Sequence, residues 1–136
     1  GDGECQEGQV WEAAMAAGHH KPTKLVAIVD ANDFQLDGPI DSIITLDPFA
    51  AKWESMNWIV REIDGHDMAA VCDAFAWAES QTAPVCIIAH TVKGKGVSFM
   101  EHQNAYHGVA PSDDELARAF AEFDLVAEHV PSGGSK

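Results

Sequence analysis

Lys24-Leu25-Val26-Ala27-Ile28-Val29 is a short β-branched run that is apolar at nearly every position. A strand with water on one side alternates apolar and polar residues, whereas a run that is apolar throughout needs cover on both faces. Parallel sheets flanked by helices supply that cover. Pro84 to Thr91 repeats the pattern, and Asn57 to Ile63 reads as a further strand. Helical stretches lie between them. Gly8 to about His19 is rich in Ala and other small residues and is stopped by Pro22. Pro48 to about Met56 places Phe49, Trp53 and Met56 on one face. A helix capped by Asp67 and running to about Ser80 carries Met68, Val71, Cys72, Phe75 and Ala78 at helical spacing. This alternation predicts an α/β fold in three layers, a largely parallel sheet with helices on both faces. One more strand is expected before Gly1, so the chain reads as N-terminally incomplete.

Gly1-Asp2-Gly3 and Asp30-Ala31-Asn32 each fall just past the end of an expected strand. In a parallel sheet both project from the same carboxyl edge, where open α/β sheets bind ligands. The Asp2 carboxylate and the Asn32 amide oxygen are hard donors of the kind Mg²⁺ and Ca²⁺ prefer, and Mg²⁺ completes its shell with waters and phosphate oxygens. Glycines beside Asp2 let backbone approach a phosphate at the start of a helix. Read alone, Gly-Asp-Gly is equally a tight turn with a capping Asp.

The 136 residues suit one domain, expected over 1–123, with 124–136 as a flexible tail or linker rich in Gly and Ser. Eight basic against 22 acidic side chains, a formal charge of −14, exclude a nucleic-acid binder of the usual basic kind. No apolar run is long enough to span a membrane. Cys5, Cys72 and Cys86 are odd in number and form no C-x-x-C pair, which points to a reducing cytoplasm. Lys93 to Pro111 shows little periodicity and holds three residues able to meet phosphate: Lys93, Lys95 and His107. Long irregular segments in compact domains are commonly functional. Ser112-Asp113-Asp114-Glu115 then forms a capping box opening a helix to about Glu122.

Taken together, Gly1-Asp2-Gly3, Glu7-Gly8, Asp30-Ala31-Asn32, Leu36-Asp37-Gly38, Asp64-Gly65-His66-Asp67, Lys93-Gly94-Lys95-Gly96 and Tyr106-His107-Gly108 resemble, in order, the thiamine-diphosphate-binding part of the transketolase family. The resemblance is strongest to the N-terminal chain of transketolases split into two polypeptides. It implies thiamine diphosphate as cofactor and Mg²⁺ as its metal, with Ca²⁺ as the alternative. It also implies ligation of that metal by Asp2, Asn32 and the main-chain carbonyl of Phe34. Gly3 is expected to offer its N–H to the diphosphate and Leu36 an apolar contact to the thiazolium ring. His107 is expected to reach the diphosphate and the substrate. Glu7 and Glu12 match carboxylates that connect paired active sites, although as acids in the first turns of a helix they also suit its dipole. His66 reads as structural, and His19, His20, His90, His102 and His129 show no metal-ligand spacing. Asp33 departs from the resemblance, standing where glycine is common.

The implied activity is transfer of a two-carbon ketol unit from a ketose phosphate to an aldose phosphate, as in the pentose phosphate pathway. The implied partners are a C-terminal transketolase chain or pyrimidine-binding domain, together with a second copy of each chain, and neither nucleic acid nor membrane. Two other readings stand beside it. One is a different thiamine-diphosphate enzyme half, from a deoxyxylulose-phosphate synthase or a 2-oxo acid dehydrogenase α-subunit. The other is a non-catalytic scaffold.

Overall fold

The computed structural model describes residues 1–127, which fall into two compact units, Gly1–Thr91 and a second from Val92 onward.

In the first unit, a 3-10 turn Gly3–Gln6 leads into α1, Gly8–His20. Lys21 ends that helix in the left-handed region at φ 49°, one residue before Pro22, and returns its N–H to the Ala17 carbonyl. Strand β1, Val26–Ala31, follows. The polar loop expected from Asp30 to Gly38 contains a small antiparallel hairpin, β2 (Phe34–Gln35) and β3 (Gly38–Pro39). Then come α2 (Phe49–Ser55), β4 (Ile59–Asp64), α3 (Met68–Glu79) and β5 (Val85–His90). Asp67 caps α3 by accepting the N–H groups of Ala69 and Ala70.

The main sheet has the order β1-β5-β4 and is parallel throughout, with Ala31 opposite His90 and Asp64 opposite His90 at its carboxyl edge. Strand β5 is central, which explains its continuous apolar run: Val85, Cys86, Ile87 and Ile88 are all at most 1% exposed. Successive side chains on a strand point to opposite faces. Cys86 and Ile88, with Val29 and Ala31, pack against Ala14 of α1 and Trp53 of α2. Val85 and Ile87, with Val26, Ile59 and Ile63, pack against Ala74 and Ala78 of α3. Helices therefore cover both faces, giving the three layers expected.

The first face is pinned by aromatic rings. Trp53 meets Trp11 at 5.4 Å and Trp58 at 5.0 Å between ring centroids, pairings worth about 0.5–1.5 kcal/mol each beyond their buried area. The indole N–H of Trp58 donates to the Ala14 carbonyl at 2.9 Å, and that of Trp11 to the Cys5 carbonyl at 2.7 Å. The second face corrects the expected α3 stripe. Ala74 and Ala78 form its buried seam, while Met68 and Phe75 are 63% and 46% exposed. Those two instead line an open apolar groove with Ile28, Ile63 and Val71, because α3 lies over β4 and β5 and leaves Ile28 of β1 uncovered.

The second unit begins as an irregular segment, includes a 3-10 turn Asn104–His107, and ends in α4, Asp113–Ala127. Ser112 and Glu115 form the predicted capping box, the Ser112 N–H donating to the Glu115 carboxylate at 2.8 Å and its hydroxyl at 2.7 Å. Residues 124–127, expected to begin the tail, continue this helix, and the rest of the expected tail lies outside the described residues. All three cysteines are free thiols. Burial pushes Cys5 up to about 11 and Cys86 up to about 12, which removes their thiolate chemistry at neutral pH. Among the described residues no helix is long and apolar enough to cross a membrane.

Candidate functional site

Asp2 is only 3% exposed, unusual for a carboxylate. Its position is set by its own backbone, whose N–H donates to the Asp30 carbonyl at the end of β1 at 3.0 Å. Its side chain is held from two sides: Oδ1 accepts the Gly3 N–H at 2.9 Å, and Oδ2 accepts the Asp33 N–H at 2.7 Å. Burial pushes the Asp2 carboxyl above the usual range. The two N–H groups work against that rise, and the negative charges of Asp33 and Asp30 add to it. A buried carboxylate with neighbours of its own sign is a place where a cation is favoured.

The turn after β1 supplies the remaining oxygens. Asn32 Oδ1 accepts the Phe34 N–H at 3.0 Å and keeps a second lone pair. Asp33 stands at φ 66°, the left-handed geometry that glycine adopts without strain. At Gly3, a Cβ would run into the Gln35 side chain and lie 3.3 Å from the Phe34 carbonyl oxygen, so only glycine lets the first turn close on the hairpin. Asp2 is in this way tied, through the Asp33 N–H 31 residues on, to the turn that holds Asn32 and Phe34.

Beside this turn opens a cleft of about 480 Å³ at the carboxyl edge of the sheet. Asp2, Asp33, Asp41, Asp47, Glu54 and Glu62 line it together with His90, its basic side chain among the described residues. His90 ends the central strand, and its Nε2 lies 2.7 Å from Glu62 Oε2 on β4. Asp30 accepts the Thr91 hydroxyl, latching the ends of β1 and β5.

The expected residues divide accordingly. Asp2 lines the cleft, with Asn32, Phe34 and Gly3 adjoining it, although the Gly3 N–H expected to face a diphosphate is here given to Asp2. Glu7 and Glu12 are exposed on α1 and do not line the cleft. Glu7 is the N-cap of α1 without a side-chain capping bond. Leu36, at the tip between β2 and β3, is 67% exposed. His107 belongs to the second unit, exposed, with its Nδ1 3.3 Å from Lys93 Nζ. Sequence reasoning misses Glu62 and His90 as cleft residues. The available signal is position: His90 closes the apolar run of the central strand, on the same edge as Asp2.

A hard divalent cation fits the donor set of one buried carboxylate, one amide oxygen and one carbonyl. Among the described residues no group of three or more His, Cys, Asp or Glu side chains converges on one point. The metal would instead depend on oxygens brought by a ligand.

A parallel sheet covered by helices on both faces, with a buried carboxylate at its carboxyl edge, is the layout of an α/β domain whose ligand site lies at that edge. The chain matches the family described as transketolase, thiamine diphosphate binding domain, over residues 1–129, and it belongs to that family. It is 40% identical over 125 residues to the 6-deoxy-6-sulfo-D-fructose transketolase subunit SqwG of a Clostridium species, covering 91% of this chain and 46% of that protein. It is 40% identical over 108 residues to the transketolase of Rattus norvegicus, covering 79% of this chain and 17% of that protein. The chain thus spans under half the length of these curated relatives. Among solved structures, the transketolase of Campylobacter jejuni superposes with a TM-score of 0.83 at 28% identity, over 88% of this chain and 19% of that one.

Proposed function

We propose that this chain is the diphosphate-anchoring half of a transketolase, acting with a pyrimidine-binding partner to move a two-carbon ketol unit from a ketose phosphate to an aldose phosphate. The observation that carries the reading is the buried Asp2 carboxylate, aimed by the Gly3 and Asp33 N–H groups at the carboxyl edge of the sheet. Such a charge costs several kcal/mol to bury and is sustained where a cation joins it.

In this reading Asp2, Asn32 Oδ1 and the Phe34 carbonyl would hold Mg²⁺, whose charge would offset that of the cofactor diphosphate. Thiamine diphosphate, when bound, supplies the nucleophilic carbon for ketol transfer. His90 is the basic side chain set against the diphosphate, and Glu62 keeps its ring oriented. The acidic walls of the cleft disfavour a free anion there, so a diphosphate held in it would need a cation beside it. His107 handles the substrate's oxygens, and Glu7 and Glu12 face a second copy of the chain in an assembly holding two copies of each polypeptide. A cytoplasmic location suits the free thiols, which this reading leaves unpaired.

Calorimetric titration of the chain assembled with its partner tests the metal site. Thiamine diphosphate is expected to bind only with Mg²⁺ present, and Asp2→Ala is expected to abolish that dependence and weaken binding about 100-fold or more, since loss of one ligand group typically costs 10–100-fold even in the outer shell. Asn32→Ala should fall between the two. Unchanged cofactor affinity in Asp2→Ala at limiting Mg²⁺ would sink the assignment.

A further inference from the structure

The 3-10 turn Asn104–His107 contains no buried residue, so it has no core of its own to hold it in place. Tyr106 supplies what the turn lacks. Its hydroxyl donates to Glu115 Oε1 of α4 at 2.7 Å, and its ring meets Phe99 edge-on with centroids 6.1 Å apart. The guanidinium of Arg118 lies 4.3 Å over the Phe99 ring, and Ser98 gives its N–H and its hydroxyl to Glu122 at 2.6 and 2.8 Å. Glu115, Arg118 and Glu122 stand at i, i+3 and i+7, which sets them on one face of the helix. That face grips the segment leading to His107 at three successive points.

The capping box accounts for only half of Glu115. It uses Oε2, which accepts the Ser112 N–H at 2.8 Å and the Ser112 hydroxyl at 2.7 Å, and it leaves Oε1 for Tyr106. A carboxylate engaged through both oxygens is fixed in orientation, and hydrogen bonds to an ionised acceptor are roughly twice as strong as neutral ones. Tyr106 is thus held at its hydroxyl by a rigid acceptor and along its ring by Phe99. A side chain held at both places also holds the backbone that bears it. His107 is the next residue, exposed, with nothing buried in its own turn to fix where its imidazole starts from. We infer that Glu115, acting through Tyr106, is a positioning residue for His107: it sets the turn from which the imidazole reaches the substrate's oxygens. This rests on the reading of His107 as a functional residue.

A double-mutant cycle in the enzyme assembled with its partner separates positioning from mere support of the fold. Tyr106→Phe removes the hydroxyl and keeps the ring against Phe99, and Glu115→Gln removes the charge that the hydroxyl meets. Each is expected to lower kcat/KM for the sugar phosphate about tenfold, since a misplacement of about 1 Å can cost up to about 100-fold. In a His107→Ala background the same two substitutions should cost less than about twofold, because the residue they position is already gone. An equal loss in both backgrounds would make Tyr106 and Glu115 structural and overturn the inference. So would native kcat/KM in Tyr106→Phe when His107→Ala is impaired, and that result would leave the reading of His107 intact. Native turnover in His107→Ala would instead sink the reading of His107 and the inference with it. Hydrogen exchange on the full chain reads the contact apart from activity. Tyr106→Phe should exchange the amides of 104–107 about tenfold faster, and unchanged exchange there would show that the hydroxyl does not hold the turn and would overturn the inference.

Discussion

Asp33 adopts a φ of 66° next to a carboxylate that is already crowded. Left-handed backbone costs an L-residue about 1–2 kcal/mol, less for Asp than for most, and glycine almost nothing. The Asp33 charge also helps push the Asp2 carboxyl up, whereas the bond that steadies Asp2 comes from the Asp33 backbone N–H and survives loss of the side chain. Asp33→Gly is therefore expected to stabilise the fold by about 0.5–1 kcal/mol, read from urea unfolding as a higher midpoint at unchanged slope. A lower midpoint would show that the Asp33 carboxylate makes a contact worth more than the strain. The position is legible in the sequence because a turn residue standing where glycine is common implies a positive φ. The burial of Asp2 is not, since its carboxylate is held by the N–H of Asp33, 31 residues away. Nor does spacing single out His90, because its partner Glu62 lies 28 residues earlier on a neighbouring strand.

Between elements, close packing decides against local propensity in α1. Gly18 is buried in this helix, where Ala is preferred over Gly by about 1 kcal/mol, so Gly18→Ala looks stabilising on propensity alone. A Cβ at Gly18, however, would collide with the Met56 carbonyl at the end of α2, a backbone atom that cannot swing away. The variant is expected to lose about 1–3 kcal/mol net, visible as a fall in melting temperature. In α4 the capping box makes a different prediction. The Ser112 N–H first, then the Tyr106 and Ser112 hydroxyls, pull Glu115 down to about 2. A carboxylate whose folded pKa is depressed contributes stability that is complete above its unfolded value and is lost as pH falls toward the folded one. Protection of the 98–107 segment against hydrogen exchange should therefore weaken between about pH 4.5 and pH 2, and Glu115→Gln should show the weakened state already at neutral pH. No acid dependence in that window would remove Glu115 as the anchor of Tyr106. The capping box is plain from Ser112 and Glu115 three residues apart. The buried face of α3 is not, because helical spacing gives a stripe of apolar residues without the direction it faces, and Met68 and Phe75 of that stripe end in an open groove.

The strand and helix order of the whole molecule can be read from apolar runs and punctuation alone, since a central parallel strand such as β5 is covered on both faces and has to be apolar throughout. Its division after Thr91 cannot, because Lys93 to Pro111 gives no periodic signal and its anchoring to α4 runs through Glu115 and Glu122, neither of which announces a partner. The walls of the cleft at the sheet edge are acidic apart from His90 among the described residues, and in the proposed reading they would serve one end of the cofactor only, the metal and diphosphate. The proposed reading would also need a group at the cofactor's opposite end, which family resemblance puts on a pyrimidine-binding domain as a glutamate, poised near neutral pH, that would hydrogen-bond the aminopyrimidine. Glu7 and Glu12 do not line the cleft, so neither substitutes for it. This chain, covering 46% of a relative that is itself named as one part of a transketolase, is therefore expected to show no ketol transfer by itself with saturating thiamine diphosphate and Mg²⁺. Transfer should appear when the chain is carried in a polypeptide of the relative's full length and combined with a pyrimidine-binding partner, and a coupled assay following aldose phosphate consumption reads both conditions. Measurable transfer by the purified 136-residue chain, with host transketolase excluded by an Asp2→Ala control prepared in the same way, would show that both ends of the cofactor are served from this one polypeptide.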